Sequence, residues 1–258
     1  RCSKKDSTRQ NEIVIYHKFV IMKFVNILVI SSLLLGACGP ARHVVPLEHK
    51  ENAVSASFGG PLVDVPGVAT LPLPFTSVGY ARGLTPNITV AGNWYSTSAL
   101  FGVAQFDAGA SIRMLESVNH RHGFSTYIGS NLAVDVVEST TKLWPQLDMH
   151  YYWRYNRSEQ VQSDMFNKSN RPVSNLIYAG IGSWWELSGT KAHGQEQKDF
   201  VVPMLNIGHN LNWKRWSFKT ELKLIAPFST NNKLVVDYKS VMGDRGATGV
   251  FLGLTRTF

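Results

Sequence analysis

Residues 143–155 read LWPQLDMHYYWRY, and the alternation within them decides the fold. Leu143, Pro145, Leu147, Met149, Tyr151, Trp153 and Tyr155 fall on one side of an extended chain. Trp144, Gln146, Asp148, His150, Tyr152 and Arg154 fall on the other. Successive side chains of a strand point to opposite faces, so a period of two gives a strand with one apolar and one polar face. A helix, with its period of 3.6, would scatter both classes around its axis.

The same pattern recurs along the chain. In 216–226, Trp216, Phe218, Leu222, Leu224 and Ala226 oppose Ser217, Lys219, Glu221 and Lys223. At the C-terminus Val250, Leu252 and Leu254 alternate with Gly249, Phe251, Gly253, Thr255 and Thr257, and the chain ends on Phe258. Segments 53–59, 75–83, 88–95, 103–114, 124–135, 175–187 and 200–213 alternate with less contrast, giving about ten strands, within a range of about eight to twelve. Short connections at 84–87 and 212–215 contrast with long ones at 60–74, 188–199 and 227–246, although the long stretch 156–172 falls on the short-turn side. Short turns at one end and long loops at the other are what transmembrane barrels show.

A soluble sandwich also alternates, but its outward face should be rich in Lys, Glu, Thr and Ser. Here the polar face carries Gly, Ala, Asn, Gln and aromatic residues, which suit a narrow lumen. The longer segments match the roughly 9 to 11 tilted residues a bilayer requires. Trp94, Tyr95, Trp153, Tyr155, Trp184, Trp185, Trp213 and Trp216, near segment ends, are expected as interfacial girdles. The predicted fold is therefore all-β: an antiparallel up-and-down transmembrane β-barrel over 52–258. Val250, Leu252, Leu254 and Phe258 also resemble the C-terminal signal by which outer-membrane barrels are recognised for assembly. Arg256 departs from it, standing where an apolar or aromatic residue is usual.

Upstream, residues 22–38 read MKFVNILVISSLLLGAC: Lys23, then an apolar run, then small residues before a cysteine. At about 12 residues that run is too short for a bilayer span, which needs about 20, and it fits an export signal. Leu35-Gly36-Ala37-Cys38 resembles the lipobox of bacterial lipoproteins. The resemblance implies cleavage before Cys38, acylation of its thiol and new amine, and membrane lipid as the first partner. Gly39, in place of Asp, favours the outer membrane under the sorting rule of enteric bacteria. The expected organisation is an upstream extension at 1–21, a signal peptide at 22–37, a polar lipid-anchored tether at 38–51, and the barrel.

The first 37 residues hold six Lys or Arg and two Asp or Glu, so their removal lowers the formal net charge from +8 to +4. The remainder lacks basic blocks, which argues against nucleic-acid binding. Cys2 and Cys38 are the two cysteines, so the cleaved chain has no disulfide framework.

On the inward face the expected charge network comprises Asp107, Arg113, Arg154, Glu186, Lys219, Glu221 and Lys223. Such charges must be paired or wetted, and their spread over several strands points to mortar in place of machinery. Asp148 and His150, two apart on one face, are the catalytic candidates, since a carboxylate can orient an imidazole for general-base work; they resemble the Asp-His pair of omptin outer-membrane proteases. His120 and His122 read as turn residues, with no third ligand nearby to make a metal site. No phosphate loop, CxxC pair or catalytic family motif is present, and no cofactor is expected. The function classes are a structural, small-ligand-binding or interaction barrel of the envelope, a membrane-embedded hydrolase using Asp148 and His150, and a soluble β-rich periplasmic accessory lipoprotein. Cys38→Ser should abolish incorporation of labelled palmitate and leave the signal uncleaved, as read by mass spectrometry of the N-terminus.

Overall fold

The computed structural model describes residues 43–65, 69–136, 139–155, 174–187, 200–231 and 238–258. The elements are β1 (Asn52–Val65), β2 (Ala69–Pro72), β3 (Phe75–Thr85), β4 (Ile88–Tyr95), a one-turn helix α1 (Ser96–Leu100), β5 (Val103–Glu116), β6 (His122–Asp135), β7 (Thr140–Tyr155), β8 (Asn175–Trp185), β9 (Val201–Trp213), β10 (Trp216–Thr230) and β11 (Arg245–Thr257). Each strand pairs antiparallel with its neighbour, and β11 closes back on β1 from Ala53↔Thr257 to Pro61↔Gly249. Ten strands make the closed barrel, and β2 is a short flap on β1 alone. Closure removes the unpaired edges that an open sheet would present.

The alternation read from the sequence sets which way the barrel faces. On β7, Trp144, Gln146, Asp148, His150 and Tyr152 are buried in the lumen, while Leu143, Tyr151 and Trp153 are exposed outside. Register places like with like on the outer wall: Leu222 stands beside both Ile207 and Val250. A slip of one residue would turn those side chains inward. Large apolar residues lie exposed on every barrel strand, Val54, Val78, Val90, Phe106, Ile128, Ile177 and Leu252 among them. A continuous apolar exterior around a polar interior is the arrangement of a transmembrane barrel, not of a sandwich.

Both termini of the barrel lie at one end, with the tight β3–β4 and β9–β10 turns; in the latter Lys214 takes φ 53°. The connection at 156–172, expected to break the loop pattern, lies outside the described residues, as does 188–199. At the opposite end the β6–β7 connection spans only 136–139, so the loops there are not uniformly long.

Three expectations need correction. Tyr95 is 2% and Trp184 6% exposed, so both point into the lumen, whereas Trp94, Trp153, Trp185, Trp213 and Trp216 face outward. Adjacent residues of a strand cannot share a face, so one member of each aromatic pair had to turn in. The stretch 60–74, read as a loop, carries the end of β1 and all of β2; Pro72 is tolerated there because β2 is an edge. Beyond the rim, Lys239 Nζ lies 3.1 Å from Asp64 Oδ2. That ammonium, with the Thr70 hydroxyl, holds the Asp64 carboxyl below its ordinary pKa.

Leu222, 50% exposed in the middle of β10, is the test of the outer wall. Leu222→Arg should cost about 2 to 4 kcal/mol, measured by reversible unfolding in lipid vesicles.

Candidate functional site

The lumen is filled. Tyr152, Tyr178, Phe251, Met204 and Ile225 are among its largest fully buried side chains, and the polar groups between them divide into three clusters along the axis. Nearest the loop end, Asp107 accepts from Asn93 Nδ2 at 2.8 Å and from Tyr95 Oη at 2.6 Å. Beside it Ser98 Oγ donates to Gln105 Oε1 at 2.5 Å, and Gln105 Nε2 donates to Asn131 Oδ1 at 3.0 Å. Glu186, just past β8, accepts from Trp144 Nε1 at 2.7 Å.

The middle cluster centres on Glu221, whose side chain is fully buried; Lys223 Nζ stands 3.4 Å from its Oε1. Tyr178 Oη donates to the other carboxylate oxygen. Lys223 also lies over the Phe251 ring, 5.7 Å from its centroid. Ring contact with Tyr178, 5.7 Å between centroids at 81°, and a 3.3 Å contact between its Nε2 and Asn206 Nδ2 hold His150.

At the mouth, beside the termini, Glu116 gathers four partners. Arg113 Nη1 lies 3.1 Å from Oε2 and Arg154 Nη1 2.8 Å from Oε1, with Tyr152 Oη at 3.0 Å and His120 Nδ1 at 2.8 Å. Arg154 also stacks over Tyr152, 5.3 Å from the ring centroid.

Inward-facing glycines create the room for these side chains. A Cβ at Gly182 would collide with Asp148 Oδ1, one at Gly208 with the Tyr178 ring, and one at Gly79 with Asn93 Oδ1. In each case the glycine stands across from or next to a strand whose larger residue lies flat over it. A narrow barrel cannot hold a bulky side chain at every inward position, so large and absent side chains alternate around the wall.

Residues 43–51, the second half of the stretch expected as a tether, fold into the mouth. Val44 packs against Tyr152, Leu176 and Tyr178, and Leu47 against Ala53 and Ala81, all of them lumen-facing. The Leu47 amide donates to Thr89 Oγ1 at 2.7 Å. Backbone bonds from Lys50 N to Gly83 O (2.8 Å) and from Gly83 N to Glu51 O (2.9 Å) fasten the segment to β3. Gly83 is required there, because a Cβ would strike the Glu48 carbonyl.

All seven expected charges sit inside the barrel or at its ends: Asp107 and Glu186 lie toward the loop end, Glu221 and Lys223 in the middle, and Arg113, Arg154 and Lys219 line the mouth. Asp148 and His150 share the lumen wall, and Ser125 is the register partner of His150 on β6. Ser125 is 1% and His150 3% exposed, so both lie buried within the lumen. His120 turns in to Glu116, whereas His122 stacks on Tyr151 outside, 6.5 Å between centroids, so the two are not joint ligands. Among the described residues no group of three or more His, Cys, Asp or Glu gathers as a metal site. Glu116 and the inserted segment escaped the sequence reading. Glu116 ends its strand next to a turn, and 43–51 has no periodicity to betray a buried path.

Glu221→Gln should remove the buried carboxylate that faces Lys223 and accepts from Tyr178, and cost on the order of 3 kcal/mol. The measurement is the temperature at which the folded, fast-migrating band is lost on semi-native electrophoresis.

No family model matches the chain, and no curated protein matches it in sequence. Solved structures do match in shape. LpxR from Salmonella typhimurium is 8% identical at TM-score 0.39, over 81% of this chain and 100% of that one. A bacterial polysaccharide outer membrane secretin is 11% identical at TM-score 0.37, over 82% and 99%. The N-terminal β-barrel domain of Pseudomonas aeruginosa OprF is 12% identical at TM-score 0.31, over 82% and 100%.

Proposed function

We propose that the chain is a lipid-anchored barrel of the bacterial outer membrane that does not conduct solutes, with a structural or ligand-holding role at its periplasmic mouth. The observation that carries this reading is the segment 43–51, packed inside the lumen at the end where the barrel begins and finishes. A transmembrane barrel places its termini and tight turns on the periplasmic side, so the inserted segment closes the barrel from there. Cys38 stands five residues before His43, and five residues span at most about 17 Å. Acyl chains on Cys38 would then enter the leaflet that surrounds the mouth, and one short stretch of chain would join lipid to lumen.

The filled interior supports the same reading. A pore needs a continuous wet path, and Tyr152, Tyr178, Met204 and Phe251 are buried across its course. Reconstituted in planar bilayers, the full chain should give no stable conductance steps, and proteoliposomes carrying it should not swell in glucose. Steady ohmic steps from the folded protein, or recovery of the acylated protein in the inner-membrane fraction, would defeat the proposal.

A further inference from the structure

At the mouth the inserted segment and the barrel wall enclose a chamber of about 600 Å³. That volume falls within the range of roughly 300 to 1,000 Å³ typical of small-molecule sites. Val44, Val45 and Leu47 of the inserted segment are among the residues that line it. Five Lys and Arg side chains line the chamber against three Glu, an excess of two positive charges before any histidine protonates.

We propose that this chamber binds a small organic anion, a soluble solute carrying a phosphate or carboxylate group. The group that points to it is Arg113. Its Nη1 is engaged by Glu116 at 3.1 Å, whereas Nε and Nη2 are buried with no hydrogen-bond partner. Those two nitrogens form one edge of the guanidinium, the edge that grips two oxygens of a phosphate or carboxylate at once. Buried donors left unpaired are costly, and an oxyanion at this edge satisfies both. Glu116 does not suffice, because it is shared with Arg154 and His120.

The opposing wall adds a complementary group. Asn210 lies on β9, four strands from β5 around the sheet, and lines the same chamber. Its Oδ1 is buried without a donor, which suits a hydroxyl or amine of the ligand. Acid at one end and a hydrogen-bond donor at the other describe a hydroxy acid, a sugar phosphate or a short peptide. The ligand class goes beyond the structural role proposed above. Its test in detergent solution depends on neither the lipid anchor nor the orientation in the membrane, so the two readings fail separately.

The experiment is calorimetric titration of the full chain, in zwitterionic detergent at low salt, with citrate, glucose 6-phosphate and glucose. One or both anions should bind with unit stoichiometry and glucose should not; which anion binds tells carboxylate from phosphate. Arg113→Gln should weaken binding by about tenfold or more, while Arg82→Gln, exposed and outside the chamber, should leave it unchanged. If Arg113→Gln fails to give the folded band on semi-native electrophoresis, Lys219→Gln takes its place, with a loss of about threefold expected from a screened cation. The proposal is overturned if neither anion binds the folded wild type, if glucose binds as tightly, or if the folded variant binds like wild type.

Discussion

A strand immersed in hydrocarbon has no water to satisfy its backbone, so every N–H and C=O in the span must pair with a neighbouring strand. The pairing of β11 with β1, from Ala53↔Thr257 to Pro61↔Gly249, is what meets that demand, since without it two edges would stand open in lipid. Much else in the molecule follows from closure. An even number of strands brings both ends of the barrel to one side, and ten strands leave an interior hardly wider than its own side chains need.

That narrowness governs the chemistry inside. Charged groups in so small a space cannot each keep a water shell, and an unpaired buried charge is expensive. Asp107, Glu221 and Glu116 are accordingly each surrounded by donors, with tyrosine hydroxyls serving all three: Tyr95, Tyr178 and Tyr152. The aromatic bodies of these residues fill volume while their hydroxyls neutralise carboxylates. Glycines on adjoining strands give them room, so the polar clusters and the bare positions are one device.

The mouth is lined in part by a segment outside the sheet. Residues 43–51 place valine and leucine against the deeper aromatic layer and leave charged walls above them. Apolar side chains of this segment thereby cover the deeper lumen, and the mouth above them is polar. Arg113 Nε and Nη2 and Asn210 Oδ1, buried without partners, belong to residues that border the chamber at that opening.

Alternation is a local property, and the sequence by itself determined what alternation controls. Leu143 to Tyr155 already assigned Asp148, His150 and Tyr152 to one face and Tyr151 and Trp153 to the other, and the ten barrel strands overlap the segments the pattern marked, although β1 runs past Gly59 to Val65 and β11 begins earlier, at Arg245. What a side chain meets across the sheet is not local, because it depends on register and on closure. Only the tertiary structure could decide that Tyr178 serves Glu221, that Gly182 exists for Asp148, that Tyr95 and Trp184 turn inward, and that Glu116 unites two arginines from different strands. The segment 43–51 is the extreme case: with no period of its own, its burial is dictated entirely by the cavity that the distant strands leave for it.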